Sequence, residues 1–166
     1  MNKILYLIRH AKSSWGEPAL SDSERQLNER GLRDAPLMGK FLKNNGVNPD
    51  LIITSTAARA SLTAKIFANE LNFKKDNIET DERIYDATTQ ALMNVIRNID
   101  NKHETVLLFG HNPGLSNLAN LLSDKFISDF PTCAIAGIKL IVQSWGDTDR
   151  HCGNIFLYEY PKKILK

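Results

Sequence analysis

The chain has 166 residues, 42% of them hydrophobic and 24% charged, a length and composition that can bury a core without disulfides or metal and that point to one globular domain over residues 1–166. A net charge of +2, with a pI near 8.5, is too mild to indicate a nucleic-acid or membrane-surface partner, so any anion site must be local. The opening "MNKILYLIRHAK" carries five consecutive apolar residues, against ~7–15 in a signal-peptide core and ~20 in a membrane span, and the reading is a cytoplasmic protein.

Ile4 to Ile8 is a short aliphatic and aromatic run with no amphipathic break, the pattern of a strand covered on both faces, and it runs directly into Arg9 and His10. A polar loop follows from Gly16 to Arg30. The next element reads as a helix over Asn28 to Asn44, with Asn28 as N-cap, Ala35, Met38, Phe41 and Leu42 turned to the core, and Gly46 as the stop. Pro36 conflicts with that span, so the helix either starts later, near Asp34, or is kinked.

Leu51 to Ile53 then predicts a second buried strand, a Ser/Thr turn and a helix carrying Ala58, Leu62, Ile66, Phe67 and Leu71. "IETDERIYDAT" is short and irregular, and Gln90 to Ile99 reads as a helix with Leu92, Val95, Ile96 and Ile99 on one side. Val106 to Phe109 repeats the strand, turn, helix pattern, with Asn112 as N-cap, Pro113 at the first helical position and Leu115, Leu118 and Leu122 facing inward. "AIAGIKLIV" and "NIFLYEY" close the chain as an edge hairpin. The expected fold class is α/β: three layers, with a mainly parallel sheet between helices.

Cys133 and Cys152 lack CxxC spacing and read as a buried apolar residue and a loop thiol; the four histidines fit no zinc spacing, so neither a metal nor another cofactor is expected. Three segments, "YLIRHA", "IITSTAAR" and "LLFGHN", each end a candidate strand with a cation or histidine in place. Parallel strands put their carboxyl ends on one edge, where the ligand crevice of an α/β sheet lies, so Arg9, His10, Arg59 and His111 can share one crevice. Arg59 would occupy the first turn of its helix, where partial positive charge already sits, and an anion would resolve that conflict. Together with free helix amino ends, these four side chains describe a phosphate-sized anion site.

"RHA" after the first strand, "STAARASLTA" and "GHNPGLSNLA" together resemble the histidine phosphatase superfamily, with its phosphoglycerate mutase-like fold; with "LNERGLRDA" and the small size, the chain looks most like the short SixA-type phosphohistidine phosphatases. The resemblance runs from Lys3 to about Thr132. It implies that His10 is the nucleophile and that Arg9, Arg59 and His111 hold the phosphoryl group. The chain departs from the wider family at Ala11 and Gly16, where a glycine and an asparagine are common, and in lacking a clear proton-donor glutamate. Asp22 aligns with an acidic position in SixA-type sequences, and Glu82 and Asp86 are the alternatives.

The implied chemistry is a metal-independent phosphatase working through a phosphohistidine on His10 and acting on a phosphorylated protein or a small phosphate compound. A general phosphomonoesterase would use the same four residues. A mutase would need insertions for a sugar-acid pocket, and a silent phosphate- or phosphopeptide-binding module need not keep His10.

Overall fold

The computed structural model describes residues 2–15 and 18–165; Gly16, one of the departures noted above, lies outside the described residues. Six strands, β1 (Lys3–Arg9), β2 (Leu51–Thr54), β3 (Glu79–Thr80), β4 (Thr105–Gly110), β5 (Ile135–Leu140) and β6 (Gly153–Glu159), form one sheet in the order β3-β2-β4-β1-β5-β6. The first four run parallel; β5 and β6 form the antiparallel hairpin, with β6 at the edge. The fold is therefore α/β with a mainly parallel sheet, and the two-residue β3 inside "IETDERIYDAT" adds a strand that its length concealed.

The strands sort their side chains by parity, as a pleated backbone requires. Leu5 and Leu7 of β1 and Val106 and Leu108 of β4 face one core with α3 (Thr89–Arg97) and α4 (Gly114–Leu122). Tyr6, Ile8, Leu107 and Phe109 face the other with α1 (Glu29–Asn44) and α2 (Ala58–Glu70). Because both faces are covered, the strands read as continuous apolar runs rather than alternating ones. A short α5 (Pro161–Ile164) packs on α1.

Helix α1 starts at Glu29, not near Asp34, with the Asn28 carboxamide accepting from Gly31 N at 2.9 Å. Pro36 lies within it and leaves the Leu32 carbonyl without its usual amide partner. An interior proline costs about 3 kcal/mol, whereas Met38 and Leu42 are fully buried and contribute about 1.5–3 kcal/mol each. Tertiary packing therefore overrides the local penalty. Gly46, at φ 75°, ends the helix in the left-handed region. In α4 the cap moves by one residue: Pro113 is the N-cap and Gly114 the first helical residue, while Asn112 Oδ1 accepts from Ser116 N at 3.2 Å.

The loop after β1 is held against the start of α1. Asn28 N donates to Lys12 O at 3.0 Å, Ser14 N donates to Gln26 O at 2.8 Å, and Ser13 forms an antiparallel bridge with Leu27. A Cβ on Gly31 would fall 2.2 Å from Lys12 O, so only glycine allows this approach. Gly31→Ala is expected to lower stability by roughly 1–3 kcal/mol, the usual range for overpacking; urea denaturation with an unchanged midpoint would show that the loop yields freely.

Candidate active site

Register carries the fold into the site. β4 lies between β1 and β2, and the pairs Arg9↔Gly110 and Thr54↔Phe109 bring the three carboxyl ends level. The ladders extend one residue further, with His10 N donating to Gly110 O at 3.0 Å and Ser55 N donating to Phe109 O at 3.1 Å. His10, Ser55 and His111 therefore leave three adjacent strands at one edge, and the first turn of α2 adds Arg59. Arg59 and His10 are only 6% and 7% exposed.

His10 Nδ1–H donates to Ala11 O at 2.7 Å. A carbonyl only accepts, so this bond places the proton on Nδ1 and leaves Nε2 as a lone pair in the neutral ring. Burial, with further contributions from His111, Arg59 and Arg9, pushes the His10 pKa down to about 3. The ring is neutral at physiological pH. Its loop is fixed by Thr63, whose Oγ1 accepts from Ala11 N at 3.0 Å and donates to Arg59 O at 2.7 Å.

His111 lies with its ring centroid 5.2 Å from that of His10, and its Nε2 is 2.8 Å from Ser55 Oγ. Burial, and next Arg59, push its pKa down to about 4. Arg9 Nη1 donates to Phe130 O at 2.9 Å, and burial lowers the Arg9 pKa. Arg59 Nη1 and Nη2 donate to Asp22 O at 2.7 Å and Asp22 Oδ2 at 3.1 Å.

Among the described residues, the buried side-chain nitrogens and oxygens without a hydrogen-bond partner are Arg9 Nε, Arg59 Nε and His111 Nδ1. Each belongs to the set expected from sequence. Leaving a buried donor unpaired costs about 1–3 kcal/mol, and three such atoms around one histidine fit a ligand made of acceptors, that is, an oxyanion. Among the described residues no group of three or more His, Cys, Asp or Glu is placed to hold a metal ion.

Asp22 lies at the mouth of the site. Tyr85 O–H donates to its Oδ2 at 2.5 Å, and Arg25 Nε donates to its Oδ1 at 3.2 Å. The Tyr85 bond and, next among the favourable contacts, Arg59 hold the Asp22 carboxyl down at about 2, so it is a carboxylate. Tyr85 also sets its ring edge-on to His111 at 5.6 Å. A cleft of about 330 Å3 opens here, lined by Asp22, Arg59, Tyr85, Asp86 and His111 among others, and Glu82 is not part of its lining. Sequence reasoning missed Tyr85, Ser55 and Thr63. Ser55 stood in the quoted strand-end motif; Tyr85 sat in the irregular segment and carried no spacing signal.

A profile of the histidine phosphatase superfamily (branch 1) matches residues 5–91. The chain belongs to this superfamily. An uncharacterized chloroplastic protein of Arabidopsis thaliana is 30% identical over 153 residues, 87% of this chain and 70% of the plant protein. An uncharacterized protein of Mycobacterium tuberculosis is 28% identical over 165 residues, 93% of this chain and 100% of its own. Among solved structures, a protein assigned as the phosphohistidine phosphatase SixA of Agrobacterium tumefaciens is 26% identical, with a TM-score of 0.79, over 96% of this chain and 98% of that one. The protein histidine phosphatase SixA complexed with tungstate shares the fold, with a TM-score of 0.84 at 22% identity over 98% and 99% of the two chains. The chain is a phosphatase of this superfamily, and it is similar in fold to the SixA structures over nearly its whole length.

The neutral state of both site histidines is testable by NMR. The ring nitrogen shifts of His10 and His111 are expected to stay those of neutral imidazole from pH 8 down to pH 5, since both titrate near pH 3–4. A midpoint near the ordinary ~6.5 for either ring would contradict the electrostatics described.

Proposed function

We propose that this phosphatase transfers the phosphoryl group of a phosphohistidine in a protein substrate to His10 Nε2 and then to water. The observation that carries the reading is the pairing of a neutral, tautomer-fixed His10 with three unpartnered buried nitrogens on Arg9, Arg59 and His111. Among the described residues no helix is long and apolar enough to cross a membrane.

In the first step the Nε2 lone pair attacks phosphorus and the P–N bond to the substrate imidazole breaks, its electron pair leaving with the protonated ring as neutral imidazole. Arg9 and Arg59 donate to the equatorial oxygens as charge spreads over them. His111 Nδ1 supplies a third donor when Ser55 O–H donates to Nε2, the tautomer that leaves its proton on Nδ1. In the second step water attacks phosphorus and the P–Nε2 bond breaks, returning His10 to its neutral form and releasing phosphate. Asp22, expected as a proton donor, enters this cycle ionised, and with its oxygens accepting from Arg59, Tyr85 and Arg25 it suits orienting Arg59 and Tyr85.

The acidic groups at the cleft also bear on substrate class. An alkyl ester must expel an alkoxide whose conjugate acid is about as weak as water, at ~15.7, so its hydrolysis leans on a placed acid. A phosphohistidine expels an imidazole of conjugate-acid pKa about 6.5. With Asp22 held as a carboxylate and no glutamate in the cleft lining among the described residues, the site suits a phosphoramidate. A SixA phosphatase of the same fold has been solved with tungstate, a tetrahedral oxyanion, which is consistent with this use of the site.

Two kinetic outcomes test the reading. His10→Ala is expected to abolish turnover while leaving the fold intact, and Arg59→Ala to raise the barrier by roughly 2–4 kcal/mol, as loss of a preorganised donor does; substantial activity in a folded His10→Ala protein would refute the nucleophile. kcat/KM is expected to be higher for phosphohistidine than for alkyl phosphates. The reverse order, with Asp22→Asn, Glu82→Gln or Asp86→Asn selectively destroying ester hydrolysis, would favour a general phosphomonoesterase.

A further inference from the structure

A second concavity lies apart from the active-site cleft. A groove of about 1420 Å3 runs along α1 from Arg30 to Asn45, between that helix, the loop at residues 125–132, strand β6 and the C-terminal α5. All six consecutive residues from Ile155 to Tyr160 line it. Since neighbouring residues in a strand point to opposite faces, a groove touching six in a row reaches the open edge of the strand, where backbone donors and acceptors have no strand beside them.

The lining has a charge bias that burial sharpens. Arg30, Arg33, Lys125, Lys162 and Lys163 are all exposed. Of the three carboxylates, Asp34 is buried against Arg33 and Arg30, and Glu159 is paired with Lys163, which leaves Asp129 as the exposed acid of the lining. The excess of two positive charges equals the net charge of the whole chain. Phe126, Phe156 and Leu165 add exposed apolar surface, with Phe126 79% exposed.

The groove and the active site share a wall. Asp129, Pro131 and Thr132 line the groove, while in the same segment Phe130 O accepts from Arg9 Nη1 at 2.9 Å and Cys133 N donates to His10 O at 3.0 Å. A polypeptide lying in the groove therefore ends beside the residues that flank the phosphoryl site.

We infer that the groove is a docking surface for an acidic segment of the phosphorylated protein substrate, held by the exposed cations and by the open edge of β6. The inference rests on the proposed protein-phosphohistidine reading and extends it to how the substrate is chosen: small phosphoramidates need only the four site residues, whereas a protein gains affinity and association rate from the groove. Edge pairing gives sequence-tolerant affinity, and the cations select for negative flanks.

Lys125 and Lys162 suit the test because, among the described residues, neither ammonium makes a hydrogen bond or ion pair, so reversal leaves the fold's own contacts intact. The probes are free phosphohistidine and two histidine peptides of equal length, one flanked by glutamates and one by lysines, each with and without phosphate on the histidine. The full-length Lys125→Glu/Lys162→Glu protein is expected to lose roughly tenfold in kcat/KM for the glutamate-flanked phosphopeptide, from two reversed surface charges. Free phosphohistidine turnover should be unchanged, and the difference should shrink at high salt. Fluorescence anisotropy with the unphosphorylated glutamate-flanked peptide reads docking without chemistry. If the wild-type protein binds that peptide in a Lys125- and Lys162-dependent way but hydrolyses no phosphohistidine, docking stands and the proposed reaction falls. Equal affinity of wild type and variant for that peptide, equal kcat/KM for both flanks in the wild type, or a parallel loss on free phosphohistidine would overturn the docking surface.

Discussion

The in-register parallel pairing of β4 with both of its neighbours is the constraint on which the site depends. Three strand ends stand level, and one further backbone bond on each side, to Gly110 O and Phe109 O, holds His10 and Ser55 beside His111. A slip of one residue would turn every strand side chain to the opposite face and exchange the two cores. The buried aliphatic faces of β1 and β4 therefore do more than stabilise the protein: they fix the relative height of His10, the proposed nucleophile, and its neighbours without any contact from substrate. The hydrogen-bonded register of the sheet supplies the preorganisation that the proposed phosphoryl transfer requires.

Around that frame, two hydrogen-bonded chains tune the chemistry. One runs from Arg59 O through Thr63 to Ala11 N, and the Ala11 carbonyl then sets the His10 tautomer. The other runs from Arg59 through Asp22 to Tyr85, whose ring rests on His111. Arg59 takes part in both. Its two terminal nitrogens are held by Asp22, and its Nε remains unpartnered, so the guanidinium is oriented in advance yet still has a donor to give. Burial keeps His10 and His111 neutral, and a bound oxyanion would oppose this shift at His111 by favouring its charged form.

Much of this was legible from the amino-acid order. Arg9, His10, Arg59 and His111 could be grouped because each follows a strand-like run, and chain direction alone puts parallel strand ends on one edge. The Asn28 cap and the Gly46 stop were legible because capping is local. What remained hidden was set by distant contacts. Pro36 is tolerated in α1 because Met38 and Leu42 are buried against α2 and the sheet. Tyr85 meets Asp22 across 63 residues of sequence, with no period or motif to announce the meeting. β3 is two residues long and exists only because β2 offers it an edge.

In the proposed cycle His10 Nε2 is the atom that carries the phosphoryl group between the two steps. Rapid acid-free quenching of the protein during turnover of phosphohistidine, followed by phosphorus NMR and peptide mass mapping, tests this directly. The expected result is one phosphoramidate per chain, on the peptide containing His10 and bonded through Nε2, that forms and decays at rates compatible with turnover. Phosphate release with no protein-bound phosphoryl group at any quench time, or a phosphoryl group on another residue such as His111, would contradict it.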